Sequence, residues 1–352
     1  MCGHSLSLIA FGGEGLSVPS PNLQRAYYKH YHTTSSCLKV YKEETLNPWF
    51  VTGFTDAEGS FNVSVAKHAS STLGWRVQAR FIIELHSKDL ALLTRIQSFF
   101  QGIGTLTNSK TRDTVRFSVV DVNQINNVII PHFKEYPLQS AKLIDFKFWE
   151  ECVNLLINKK HLNIEGLNKI VALKGVINHR LKEELKRSFP DAISLNRPTY
   201  LSLCNMDENL NPYWISGFIE GDGSFIIKIK SSTKQLVPRS NGKGEVLSAS
   251  AVLSIGLDIR EEPLLFKVKK FFGSFGSVYS YKSRGVVEFK IFKLQDLLTI
   301  MPHFYNYPLM GFKSYNFGIW KEIVHLIKDK AHLSLEGIQK IKALKNKLNV
   351  WK

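Results

Sequence analysis

Cysteine is scarce in this chain: four in 352 residues (Cys2, Cys37, Cys152 and Cys204), far apart and without CxxC or Cys/His ligand spacing. This excludes a zinc site built on such spacings and a disulfide framework, and it fits a reducing compartment. No apolar run approaches the ~18 residues of a membrane span. Acidic residues are also in deficit: 30 Asp and Glu stand against 46 Lys and Arg, for a formal charge of +16. With 44% hydrophobic and 12% aromatic residues the composition is globular, not disordered. A folded chain that keeps so much like charge repels itself, and an anionic partner is the usual reason. Nucleic acid and an anionic membrane surface are the candidates, a merely cationic surface the bland alternative. Nucleic acid fits best.

Residues 1–44 differ from the rest. Up to Lys42 they hold Arg25, Lys29, Lys39 and Lys42 against one acid, Glu14, among many Ser and Gly. This composition suits a transit-like presequence, a disordered tail, or residual coding from an upstream reading frame. The segment is expected to lie outside the fold.

What the rest of the chain has is a repeat. NPWFVTGFTDAEGSF (47–61) returns as NPYWISGFIEGDGSF (211–225), identical at seven of fifteen positions. A longer block beginning PHFKEYPLQSAK at 131 returns as PHFYNYPLMGFK at 302. The offset grows from 164 to 171, so seven extra residues sit in the second copy, expected in its polar loop SSTKQLVPRSNGKGE (231–245). Two copies make a pseudo-dimer, not a solenoid. The expected division is 1–44 as an extension, 45–187 as the first domain, 188–209 as a linker and 210–352 as the second domain.

Each copy reads helix, strands, helix, strands, helices, an α+β arrangement. Asn47 followed by Pro48 is a helix start, and Gly59 ends that helix. In WRVQARFIIELH the odd positions Trp75, Val77, Ala79, Phe81, Ile83 and Leu85 form one face. Arg76, Gln78, Arg80, Ile82, Glu84 and His86 form the other. The same split puts Arg116 opposite Phe117, Lys228 and Lys230 opposite Ile227 and Ile229, and Lys290 opposite Phe289. One antiparallel strand with a polar face only faces water. Several such strands in both copies form a cationic face that can enter a DNA groove, with Arg76, Gln78, Arg80, Arg116, Lys228, Lys230 and Lys290 as candidate DNA contacts. Leu155, Leu156, Leu162, Leu167, Phe146, Trp149, Phe317 and Trp320 fall at helical spacing and are expected in the core.

The repeated helix ends in two acids, Asp56 and Glu58 in one copy and Glu220 and Asp222 in the other. Acids at a helix C-terminus face the negative end of the macrodipole. The helix is apolar enough to be buried, and Gly53 and Gly217 at matching sites allow a second helix to approach closely. Pairing the two helices brings carboxylates together, and these repel unless protons or hard divalent cations intervene. Acids, metal and a basic groove together suggest metal-assisted phosphodiester hydrolysis at two half-sites. The bland alternative is that the acids only cap turns. Asp56 and Glu220 suit that role through nearby backbone amides at the helix–strand junction; Glu58 and Asp222, just before the Gly, are better placed to face the groove.

VTGFTDAEG (51–59) and ISGFIEGDG (215–223) resemble the two signature motifs of a single-chain LAGLIDADG homing endonuclease of the fungal mitochondrial intron-encoded type. The flanking NPW/NPY, YPL…K and HL…EG blocks are similar too, so the resemblance covers about 45–352. It implies a pseudo-twofold pair of αββαββα-type domains, whose two antiparallel sheets form a saddle on a DNA site. It further implies cutting of both strands across the minor groove with short 3′ overhangs, and mobility of the intron. Glu58 and Asp222 match the metal-binding acids. Lys142 and Lys313, in YPLQSAK and YPLMGFK, match basic residues near the scissile phosphates. His86 and Asp258 match, across a gapped alignment, polar residues that order the attacking water. The implied cofactor is Mg²⁺ or another divalent cation such as Mn²⁺, with Ca²⁺ binding without supporting cleavage. The implied partner is a duplex of about 20 base pairs, at 3.4 Å each about two turns, bound by a monomer in the mitochondrion, with no membrane partner. Thr55 replaces an aliphatic motif residue, which is expected to affect packing only.

The alternative is an RNA-binding maturase on the same fold, acting on its own intron RNA in group I splicing. Both acids and both lysines are present, which favours cleavage, because RNA binding does not need a metal pair.

Overall fold

The computed structural model describes residues 45–352 apart from 178–180, 203–204, 240–241 and 349–352. The expectation for 1–44 lies outside the described residues. The first half runs α1 (Pro48–Glu58), β1 (Gly59–Lys67), β2 (Trp75–His86), α2 (Leu90–Phe99), β3 (Thr105–Asn108) and β4 (Thr114–Val119). A π turn, Ile125–Ile129, leads into α3 (Ile130–Glu135), followed by α4 (Lys142–Ile157), α5 (Ile164–Val176) and α6 (Glu183–Ser188). The second half repeats the order with α7 (Pro212–Asp222), β5 (Gly223–Arg239), β6 (Gly242–Asp258), α8 (Glu262–Phe271), β7 (Ser277–Tyr281) and β8 (Val286–Ile291). It ends with α9 (Leu294–Asn306), α10 (Lys313–Lys328) and α11 (Leu335–Lys347).

The strands form two four-stranded antiparallel sheets, ordered β1-β2-β4-β3 and β5-β6-β8-β7. Strand parity sets their inner faces. Phe61, Val63, Ala79, Phe81, Ile83, Phe117 and Val119 are buried beneath the first sheet, as are Phe225, Ile227, Leu253, Ile255, Phe289 and Ile291 beneath the second. Aromatic side chains knit sheet to helix at matched points. Phe61 packs on Phe133, Phe146 and Trp149, and Phe225 on Phe304, Phe317 and Trp320. Trp149, Trp320, Phe146, Phe317, Leu156 and Leu167 are in the core, and Leu155 packs partly buried against it. Leu162 is not: it sits in the tight turn Lys160–Leu162 between α4 and α5 and is 54% exposed, because that turn breaks the helical phase.

The extra residues of the second copy do not form a loop. The backbone of 231–239 and 242–245 continues β5 and β6 to 17 residues each, with a register irregularity between Ser232 and Val237. Polar composition reads as loop when a strand needs a buried face. A two-stranded ribbon satisfies its backbone by pairing alone. The segment assigned as a linker is pinned to the first half by the Arg197–Asp145 ion pair and by the Tyr200 hydroxyl, which donates to the Gln139 carbonyl.

Candidate active site at the paired helix tips

Both motif helices begin the same way. Asn47 accepts from the Trp49 amide and Asn211 from the Tyr213 amide, each at 2.9 Å, and Pro48 and Pro212 occupy the first turn. Two hydroxyls then anchor them to their own halves. Thr52 donates to the Tyr136 carbonyl at 3.0 Å and Ser216 to the Tyr307 carbonyl at 2.6 Å. Having given up their protons, these hydroxyls accept from His132 Nε2 (3.1 Å) and His303 Nε2 (3.0 Å). Burial holds both imidazoles neutral, pushing them down to about 3 and about 4.

The helices cross where neither can carry a side chain. A Cβ on Gly53 would stand 2.0 Å from the Trp214 carbonyl oxygen, and one on Gly217 would stand 2.1 Å from that of Phe50. Contact persists to the tips, where a Cβ on Gly221 would meet Ala57 Cβ at 2.2 Å and Glu58 Cγ at 3.0 Å. The last residues of the two helices, Glu58 and Asp222, therefore share one place in the fold.

The four motif acids divide in two. Asp56 is saturated: its carboxylate accepts from the Gln139 amide (2.8 Å), the Ser140 amide (3.1 Å), the Ser140 hydroxyl (2.6 Å) and the Trp214 indole (2.8 Å). Glu220 accepts from the Met310 amide (2.8 Å) and the Lys313 amide (3.2 Å). Both are buried anchors whose amide partners lie not at the helix–strand junction, as expected, but in and at the end of the loop before α4 or α10, which packs there once the half has folded. Among the described residues, Glu58 and Asp222 accept no hydrogen bond at all. Burial raises the carboxyl pKa of each, and Glu58 raises that of Asp222 further, to about 7.

Lys142 and Lys313 answer the dipole problem. Lys142 Nζ donates to the carbonyls of Thr55 (3.0 Å) and Ala57 (3.3 Å), and Lys313 Nζ to those of Ile219 (3.0 Å) and Gly221 (2.6 Å). Each ammonium thus caps the negative end of its own motif helix, where a cation is favoured. Burial lowers both lysine pKa values. Asp56, Asp222, Glu58 and Glu261 counter this for Lys142, and Glu220, Glu58, Asp222 and Asp89 for Lys313.

The LAGLIDADG endonuclease model matches residues 51–153 and 215–324, one segment in each half. The chain is 36% identical to "Probable intron-encoded endonuclease 3" of Neurospora crassa over 93% of its own length and 58% of the relative's. It is also 36% identical to "Probable intron-encoded endonuclease 2" of the same organism, over 94% and 70%. The fold superposes on the structure of I-SmaMI bound to uncleaved DNA target in the presence of calcium ions, with TM-score 0.79 and 33% identity, covering 86% of this chain and 99% of that one. This chain belongs to the LAGLIDADG endonuclease family. It spans a little over half the length of the first of these relatives.

In this LAGLIDADG chain the residues fit a hard divalent cation. The pair supplies only carboxylate oxygens, desolvated and free of competing donors, and such an ion takes one or two protein carboxylates and completes its shell elsewhere. No group of three or more His, Cys, Asp or Glu forms a self-sufficient metal site among the described residues. No described helix is long and apolar enough to cross a membrane.

The candidate DNA contacts all fall on the outward sheet faces. Arg76, Arg116, Lys228 and Lys230 are exposed, and Gln78, Arg80 and Lys290 half-buried. Several are already engaged. Arg80 donates to Gln78 (2.9 Å), Arg116 to Glu84 (2.9 and 2.6 Å), and Lys290 pairs with Glu288. His86 and Asp258 take equivalent positions as N-caps of the turns that follow β2 and β6, accepting from the Lys88 amide (3.3 Å) and the Arg260 amide (3.0 Å). His86 also lines a cleft of ≈ 510 Å³ with Glu58, Asp89 and Lys313. Asp89 and Glu261 escaped sequence reasoning. Their signal was an acid at matched positions in SKD and IRE, three residues beyond the second strand of each copy.

Proposed function

We propose that this protein is a sequence-specific, divalent-metal-dependent DNA endonuclease that cuts both strands of its target and promotes the mobility of the intron that encodes it. One observation carries the reading: Glu58 and Asp222 converge without a hydrogen bond, while the acids two residues before them are bonded, Asp56 by four donors and Glu220 by two backbone amides. A fold that ties down two acids and leaves two bare at a shared point keeps the bare pair for a cation. Mg²⁺ fits best, since it dehydrates reluctantly and completes its shell with water and phosphate oxygens. When bound, such an ion activates water and stabilises the leaving oxygen of a phosphodiester.

The chain's own residues do the rest. Glu58 and Asp222 would hold the cation. Lys142 and Lys313 fix the helix ends that carry those acids and set positive charge beside the scissile phosphates. The outward sheet faces, with Arg76, Gln78, Arg80, Arg116, Lys228, Lys230 and Lys290, bind a duplex of about 20 base pairs. His86 and Asp258 contribute at the groove edge, where they can order water once the duplex is bound. Both half-sites lie on one chain, so the protein acts as a monomer. The intron-encoded relatives suit a mitochondrial location.

The test is cleavage of DNA spanning the intron insertion site, with Mg²⁺, by wild type, Glu58→Gln and Asp222→Asn. Each variant is expected to lose double-strand cutting and keep DNA binding. Wild-type cutting by both variants would remove the metal-site assignment. Splicing assistance without any cutting by the wild type would leave the maturase reading in its place.

A further inference from the structure

Asp89 and Glu261 stand at matched places, each closing the helical turn after the second strand of its sheet (Ser87–Asp89 and Ile259–Glu261). Each reaches into the other half. Both carboxylate oxygens of Glu261 accept from the Ala141 amide at 3.1 Å, and Asp89 Oδ1 accepts from the Phe312 amide at 2.8 Å. Ala141 and Phe312 immediately precede Lys142 and Lys313, at the start of α4 and α10.

Neither the Ala141 nor the Phe312 side chain supplies a capping bond. The Lys142 and Lys313 amides are taken within their own halves, by the Ser140 hydroxyl (3.1 Å) and Glu220 (3.2 Å), so the amides one residue earlier, at the positive end of a 16-residue helix, meet an acid from across the interface. From there the contacts continue in sequence. Glu261 of the second half holds the amide before Lys142, and Lys142 holds the Thr55 and Ala57 carbonyls behind Glu58. Asp89 of the first half holds the amide before Lys313, and Lys313 holds the Ile219 and Gly221 carbonyls behind Asp222. The two relays cross over, and each half-site is completed by an acid borrowed from the other half.

We infer that Asp89 and Glu261 are positioning residues for strand cleavage: each sets the register of the lysine in the opposite half, and so tunes one half-site and not the other. The inference rests on the active-site reading above. An acid that served only as interface glue would, when removed, loosen both half-sites alike.

Strand-resolved, single-turnover cleavage separates these roles. A target duplex carrying a different label on each strand is cut with Mg²⁺, and binding to the same duplex is measured with Ca²⁺. Glu261→Ala is expected to slow one strand by about 10-fold, leaving the other strand and the affinity within about 2-fold, since misplacement by a fraction of an ångström already costs rate. Asp89→Ala is expected to slow the opposite strand. Glu261→Gln keeps an oxygen that can accept from Ala141 and should recover most of the lost rate. If the alanine variants do not fold, Glu261→Met and Asp89→Leu, which keep side-chain bulk but offer no acceptor to the Ala141 and Phe312 amides, take their place, with the same opposite strand bias expected. Equal slowing of both strands, bias toward the same strand, or an effect on affinity alone would overturn the inference. Glu58→Gln and Asp222→Asn run alongside: if they cut normally, the active-site reading fails. If they are inactive while the Asp89 and Glu261 variants leave the strand ratio unchanged, only the positioning role fails.

Discussion

Trp214 on the second motif helix donates its indole N–H to Asp56 on the first, at 2.8 Å, across the interface between the two halves. The bond has no mirror image. The residue matching Trp214 in the first copy is Phe50, which has no donor, and the acid matching Asp56 is the longer Glu220. Trp214→Phe keeps the ring and removes the donor. It should cost about 1–2 kcal/mol in chemical denaturation, the typical effect of stripping one partner from a buried carboxylate. A variant as stable as wild type would show that the three donors from Gln139 and Ser140 suffice.

Gly53→Ala and Gly217→Ala test the helix crossing. A methyl at either position would lie about 2 Å from a backbone oxygen of the facing helix, so the helices must separate. Each substitution should cost about 1–3 kcal/mol or more and lower double-strand cleavage beyond the effect on folding, because Glu58 and Asp222 move apart. Unchanged melting and cleavage would contradict the close approach.

The acids at the tips make stability depend on pH. Asp222 is raised from 3.8 to about 7, first by burial and then by Glu58. The folded state therefore holds this proton between those values while the unfolded state has lost it, so stability falls as pH rises through that window. At about 1.4 kcal/mol per pH unit the full span is on the order of 4 kcal/mol at most. Without divalent cations, Asp222→Asn should be no more stable than wild type below about pH 4 and should gain steadily up to about pH 7. Denaturant titrations at several pH values measure this; a pH-independent difference would sink it.

Thr55 is fully buried and its hydroxyl has no partner, whereas its carbonyl accepts from Lys142. Thr55→Val keeps the shape and the carbonyl while removing the orphaned hydroxyl. It should raise stability by about 1 kcal/mol with nicking rates unchanged. A destabilised variant would mean that the hydroxyl is satisfied by water.

Removing Arg76, which is exposed on the sheet face, should reduce the slope of log affinity against log salt by about 1 if it meets a phosphate. Arg116→Ala should reduce it less, because Glu84 already neutralises part of that charge. Equal slopes for wild type and Arg76→Ala would remove Arg76 from the DNA contacts.

Much of this protein was legible before any coordinates. The duplication, the strand parity that buries Phe81 and exposes Arg76, the helix starts at Asn47 and Asn211, and the pairing of helices through Gly53 and Gly217 are all local or periodic features. Periodicity reports which side of an element is dry, because neighbours along the chain share its geometry. Only the outer end of the β5–β6 hairpin, within 231–245, reads as a loop from its polarity, since ribbon pairing leaves no trace in composition.

The division among the four acids was foreseen in outline, but its cause was out of reach. Asp56 is saturated by Gln139, Ser140 and Trp214, residues 83 to 158 positions away. Glu261 finds Ala141 120 positions distant, and Asp89 finds Phe312 223 away. A hydrogen bond over such separations imprints no period on the chain, because the partners meet only once the two halves have docked. Sequence alone therefore determined which residues could do chemistry. Only the tertiary structure decided which carboxylates are spent on holding the fold and which are left bare at its centre.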